Sequence, residues 1–172
     1  MKFLIGDIGN TSTKICVLND DFKILRSYNF ETIKMLKRNL IKTIIRKNIN
    51  KGLNPTFLFS SVVPKVFLNI KKSFKFSKYK VLEIKNLNLN KVIKINVKNK
   101  KQLGSDRIAN AIGAKKFKNC LVLDFGTATT FDVIDSKGNY DGGIITPGID
   151  LSLKVLSEKT AKLPLVKFAK TK

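Results

Sequence analysis

With 172 residues and 43% hydrophobic side chains, the chain has enough apolar content for one domain or two small ones with a real core. Its mean hydropathy of −0.05, the lack of any apolar run near the roughly 18 residues of a membrane span, and an acidic Asp7 too early for a signal peptide predict a cytoplasmic protein with no membrane partner. The formal charge of +22 is spread along the whole chain among Asn and Ile, which predicts salt-sensitive sticking to polyanions but no specific nucleic-acid site, and the absence of His excludes Ser-His-Asp and Cys-His catalysis.

In chain order, residues 2–6, 13–18 and 22–30 read as strands, with Asn19-Asp20-Asp21 turning the last two into a hairpin. Apolar residues at Ile33, Leu36, Leu40, Ile41, Ile44 and Ile45 follow helical spacing and predict one helix across 32–49. Asn54-Pro55 reads as a break, 56–60 as a short buried strand, 64–70 as a helix opened by Pro64, and 79–84 as a further strand. Strands first, then strand and helix in alternation, predict an α/β layer architecture. The Lys- and Asn-rich stretch 85–103 reads as a loop with one short strand at 92–97. From Gly104 to Ala114 small and apolar residues alternate as in a tightly packed helix.

The opening then recurs. Leu4-Ile5-Gly6-Asp7-Ile8-Gly9-Asn10-Thr11-Ser12-Thr13 and Leu121-Val122-Leu123-Asp124-Phe125-Gly126-Thr127-Ala128-Thr129-Thr130 align Asp7 with Asp124, Gly9 with Gly126 and Thr13 with Thr130. The second copy continues through a strand to Asp135, the turn Ser136-Lys137-Gly138, a glycine-rich loop from Tyr140 to Gly148 and a helix from Ile149. The repeat predicts two related domains, 1–118 and 119–172, facing a shared cleft that grips a nucleoside triphosphate from both sides. The second is small for an independent core, and Leu163, Leu165, Val166 and Phe168 have few partners left, which predicts a truncated chain. Cys16 and Cys120 lie in or beside apolar strands and read as free thiols.

In the first turn, Gly9 allows close backbone approach, and Asn10, Thr11, Ser12 and backbone N–H groups suit phosphate oxygens. Asp7 would meet phosphate only through Mg²⁺. The same residues also make an ordinary β-turn, and it is the second copy that favours phosphate. Asp106-Arg107 after Gly104 reads either as a helix-start ion pair or as a carboxylate base beside an anion-holding guanidinium. Asp124 either ends a strand or binds a cation beside the phosphates, with Thr127, Thr129 and Thr130 on the nucleotide. Gly142-Gly143 and Pro147-Gly148 are either loop residues or a wall for adenosine.

The segments DIGNT at 7–11, GSDRIANA at 104–111, DFGTATTFD at 124–132 and GGIITPG at 142–148 resemble, in order and spacing, the type III pantothenate kinases, also described as Bvg accessory factor proteins. The resemblance covers essentially the whole chain and implies the acetate and sugar kinase/Hsp70/actin superfamily, with two ribonuclease-H-like domains, the second incomplete. It implies ATP-dependent phosphorylation of pantothenate to 4'-phosphopantothenate, the first step of coenzyme A biosynthesis. By the same resemblance Asp7, Ile8, Gly9, Asn10, Thr11, Ser12, Thr13 and Lys14 form the ATP phosphate loop, and Thr127 contacts ATP. Gly104, Ser105, Asp106 and Arg107 bind pantothenate, with Asp106 as proton acceptor, and Asp124 binds a monovalent cation, K⁺ or NH₄⁺. A homodimer of full-length chains is also implied. Val97 stands where the family usually has a Tyr, and Cys16 where a Gly is common. The alternative reading is a nucleotide-binding regulatory or vestigial protein without turnover.

Overall fold

The computed structural model describes residues 2–36, 39–49 and 53–166. The chain forms two units, Met1–Leu89 with Gln102–Ala109, and Asn90–Lys101 with Asn110–Lys172.

In the first unit, β1 (Lys2–Ile8), β2 (Ser12–Leu18) and β3 (Ile24–Glu31) form an antiparallel meander. Strands β4 (Leu53–Ser61) and β5 (Lys80–Glu83) continue the sheet parallel to β1, in the order β3-β2-β1-β4-β5. Strand alternation sends Leu4, Ile8, Ile15, Phe57 and Phe59 into a core with Ile41, Ile44 and Ile45 of α1 (Asn39–Ile49) and Val66, Phe67 and Ile70 of α2 (Pro64–Ser73). Phe57 and Phe59 are fully buried, each contributing about 1.5–3 kcal/mol. Gly6 makes room for Phe59, because a Cβ there would sit 2.3 Å from its ring.

Three expected elements change. Of the helix expected across 32–49, Thr32–Leu36 is a short 3₁₀ turn and Asn39–Ile49 is α1, and residues 37–38 lie outside the described residues. The carbonyls of Met35 and Leu36 accept from Asn69 Nδ2 at 3.4 and 2.9 Å, which ties this turn to α2. Asn54-Pro55 does not break the chain but lies inside β4. Its pairing jumps from Lys2↔Leu53 to Leu4↔Phe57, and this irregularity absorbs a proline that has no N–H for the ladder. The strand expected at 92–97 reduces to a single parallel bridge between Ile95 and Tyr140.

In the second unit, β6 (Cys120–Phe125), β7 (Ala128–Ile134) and β8 (Tyr140–Pro147) form an antiparallel sheet, followed by α4 (Ile149–Lys159). The glycine-rich segment expected as a loop is therefore mostly strand β8. Gly142 holds φ at +124°, a conformation that strains other residues, where the β7–β8 register shifts between Val133↔Gly142 and Ile134↔Tyr140. Helix α3 (Ser105–Ala114) gives its first five residues to the first unit and the rest to the second. Cys16 and Cys120 are free thiols. Leu163, Leu165 and Val166 are exposed, while Phe168 lies outside the described residues. Among the described residues no helix is long and apolar enough to cross a membrane.

Candidate functional site

The turn between β1 and β2 is closed by Gly9 N–H donating to Ser12 O at 3.0 Å. It is pinned from the end of β3. Thr32 Oγ1 donates to Gly9 O at 2.7 Å, Thr32 N–H donates to Thr11 O at 2.9 Å, and the Thr13 and Thr32 hydroxyls share a hydrogen bond of 3.0 Å. Both threonines are buried, so the turn's shape is set beneath the surface. Asp7, Asn10, Thr11, Ser12 and Lys14 are exposed. Ile8 and Thr13 are fully buried and can offer a ligand no side chain, and Ile8 O already accepts from Val62 N–H at 3.0 Å.

Helix α3 begins at the same end of the sheet. Gly104 O accepts from Ile108 N–H at 3.2 Å, which makes Gly104 the residue before the first turn. A Cβ on Gly104 would lie 2.4 Å from Asp106 Oδ1 and 3.8 Å from Val62 Cγ1. Glycine here lets the carboxylate fold back on its own helix start, where Oδ1 accepts from Arg107 N–H at 2.8 Å. Asp106 is half-buried, while Ser105 and Arg107 are buried. The Ser105 hydroxyl is anchored on Glu83 Oε1, which fixes the helix start to the end of β5. The Asp7 turn and the Asp106 carboxylate thus share the C-terminal edge of parallel β1, β4 and β5, the edge where open α/β sheets bind ligands.

The second unit repeats the turn with one residue fewer. Gly126 N–H donates to Ala128 O at 3.0 Å, and Asp124 pairs with Thr130 where Asp7 pairs with Lys14. The sequence repeat is therefore a repeat of strands with unequal turns. Thr127 is exposed, and its carbonyl accepts from Gly148 N–H at 3.1 Å. Asp124 is exposed, and its Oδ2 accepts from Asn110 Nδ2 at 2.8 Å. Thr129 and Thr130 are buried; Thr130 Oγ1 donates to Asp132 Oδ2 at 3.4 Å, and Tyr140 OH to Asp132 Oδ1 at 2.8 Å. Of the three threonines expected on a nucleotide, only Thr127 has its side chain at the surface. Pro147-Gly148 closes the turn from behind, and Gly142-Gly143 belongs to β8.

Thr32, Glu83, Asn110 and Asp132 escaped the sequence reading, since each meets its partner across a long stretch of chain or within a sheet, and Ser60 because its burial is set by the sheet. Only Asn110 had a local signal, four residues after Asp106 on one helix face. Among the described residues no three His, Cys, Asp or Glu side chains cluster as a metal cage. A lone exposed carboxylate beside hydroxyls does suit Mg²⁺, which keeps several waters and takes one or two carboxylates plus phosphate oxygens.

A carboxylate–glycine–hydroxyl turn closes one hairpin in each unit, and the strands and helices together make a mixed α/β fold. The likeness to solved structures agrees. The ethanolamine utilization protein EutJ of Carboxydothermus hydrogenoformans matches with a TM-score of 0.55 at 12% identity, over 96% of this chain and 58% of that one. The activator of the 2-hydroxyisocaproyl-CoA dehydratase of Clostridium difficile, solved with bound ADPNP, matches with a TM-score of 0.50 at 10% identity, over 92% and 52%. These neighbours share the mixed α/β fold of the chain.

The chain belongs to the type III pantothenate kinase family, whose sequence pattern matches residues 3–172. It is 48% identical over 171 residues to the type III pantothenate kinase of Pelagibacter ubique (strain HTCC1062), a match covering 98% of this chain and 68% of that protein.

Proposed function

We propose that the chain transfers the terminal phosphoryl group of ATP to the hydroxyl of pantothenate, forming 4'-phosphopantothenate in coenzyme A biosynthesis. One observation carries the site assignment. Asp106 is held at the start of α3, by Gly104 and its own backbone cap, at the strand edge that also carries the Asp7 turn.

In this reading Asp106 accepts the proton of the pantothenate hydroxyl as the oxygen attacks. Phosphoryl transfer has a loose transition state, so fixing the carboxylate in position matters more than raising its basicity. Arg107 and the Ser105–Glu83 anchor steady the pantothenate end. Asn10, Thr11, Ser12, Lys14 and the turn's backbone hold the phosphates, and a contact of Thr127 with ATP rests on the family likeness. Asp7 would hold Mg²⁺ through water; the ion neutralises charge on the phosphate oxygens. Asp124, steadied by Asn110, would hold K⁺ or NH₄⁺. The strand order of the first unit and the three-stranded sheet of the second support two ribonuclease-H-like domains, with residues 90–101 and 110–118, expected in the first domain, grouping with the second unit. A homodimer and a cytoplasmic setting complete the proposal and rest on the family likeness.

The test is Asp106→Asn, with ADP and phosphopantothenate followed by mass. Turnover should fall about 100-fold or more, while calorimetric affinity for ADP stays unchanged. Full turnover in Asp106→Asn would remove the assigned base.

A further inference from the structure

Ser60, near the end of β4, carries a buried hydroxyl to which the site above gives no role. The residue is 8% exposed, and its Oγ has no hydrogen-bond partner among the described residues. Its neighbour Ser61 shows the contrast: Ser61 Oγ accepts from Val63 N–H at 3.2 Å and donates to Val63 O at 3.3 Å. A buried hydroxyl left unpaired forfeits its solvation, and such atoms in native folds call for a specific reason.

The register supplies one. In the parallel β1–β4 ladder, Asp7 pairs with Ser60 and Ile5 with Leu58, on the face opposite to Gly6 and Phe59. The Ser60 hydroxyl and the Asp7 carboxylate therefore lie on one face of adjacent strands, about 4.8 Å apart at the backbone. The backbone there is already committed, since Val62 N–H bonds Ile8 O just beyond.

We propose that Ser60 is a positioning residue for Asp7, its hydroxyl donating to the Asp7 carboxylate when phosphates and their divalent cation occupy the turn. The bond selects which carboxylate oxygen faces the cation. The neutral hydroxyl adds no charge beside the carboxylate. The proposal rests on the phosphate-turn reading given above.

The experiment is calorimetric titration of the full chain with ADP, with and without Mg²⁺, so it requires no turnover. In Ser60→Ala, affinity for ADP with Mg²⁺ should fall about tenfold, while affinity without Mg²⁺ is unchanged. Ser60→Thr, which keeps the hydroxyl, should stay within about twofold of the unaltered chain. In an Asp7→Asn background, Ser60→Ala should cost nothing further, because the two residues act as one unit. Equal losses with and without Mg²⁺, or additive losses in the double variant, would overturn the proposal and leave Ser60 a packing residue. An unaltered chain that binds ADP without any Mg²⁺ dependence would overturn the phosphate-turn reading together with it. An unaltered chain that binds Mg²⁺ and ADP yet makes no phosphopantothenate would overturn only the kinase reading.

Discussion

Gly148 can carry no side chain where it stands. A Cβ would lie 2.2 Å from Gly126 O and 2.6 Å from Thr127 O, both backbone atoms of the second turn. Its φ is ordinary, at −65°, so the demand comes from close approach and not from backbone strain. Gly148→Ala must push the turn away from α4 and loosen the Gly148 N–H to Thr127 O bond. We expect a loss of about 1–3 kcal/mol in urea unfolding, together with weaker ADP binding, since Thr127 shifts with the turn. Unchanged unfolding and binding would show that the turn relaxes freely. At this scale the sequence marked the glycines and acids well, because turn chemistry is local. It could not reveal Thr32, whose hydroxyl reaches Gly9 across 23 positions, or Glu83, which holds Ser105 across 22.

Among the elements, the two hairpins show how much a repeat can hide. Both strand pairs were legible from apolar runs ending in Asp and Gly, yet the turns differ by one residue in register. Turn length depends on which cross-strand pair forms last, and equivalent letters in the sequence do not report it. The β7–β8 hairpin is held by a different device. Asp135 accepts from Lys137 N–H, Asn139 N–H and Asn139 Nδ2 at 2.8, 2.7 and 3.0 Å. The backbone and side-chain bonds from Asn139 lead in lowering the Asp135 carboxyl below its ordinary 3.8, with Lys137 adding to them. A carboxyl lowered on folding stabilises the fold above its unfolded value, and that contribution fades as pH falls through the lower folded value. The urea midpoint of the unaltered chain should therefore exceed that of Asp135→Ala at pH 6, and the gap should narrow steadily below about pH 3.8. A gap that stays constant down to pH 2 would show that the charge contributes nothing. Of the helix expected across 32–49, the part from Asn39 is α-helical while Thr32–Leu36 is a 3₁₀ turn tied to α2 through Asn69, a contact that apolar spacing does not report.

At the scale of the molecule, the second unit leaves one sheet face uncovered. Leu121, Leu123, Phe125, Val133 and Ile144 share it by register, with Phe125 63% and Ile144 62% exposed. Contiguous apolar surface of this kind marks a contact. The Pelagibacter relative extends beyond the matched region, which covers 68% of its length. Fusing the unmatched part of that relative to this chain should raise the melting temperature by about 5 °C or more and suppress binding of an apolar dye. If neither changes, that segment does not cover the face. The amino-acid sequence by itself determined the strand–turn–strand repeat, the glycines and acids of both turns, the helix start at Gly104-Ser105-Asp106 and the family they imply, because each is written in contiguous residues with a local period or turn preference. Only the tertiary structure decided that Thr32 pins the first turn, that Asn110 holds Asp124, that the second turn is shorter and that Ser60 stands beside Asp7. Those relations form only when distant segments pair, and strand register and packing, which no local pattern specifies, choose the partners.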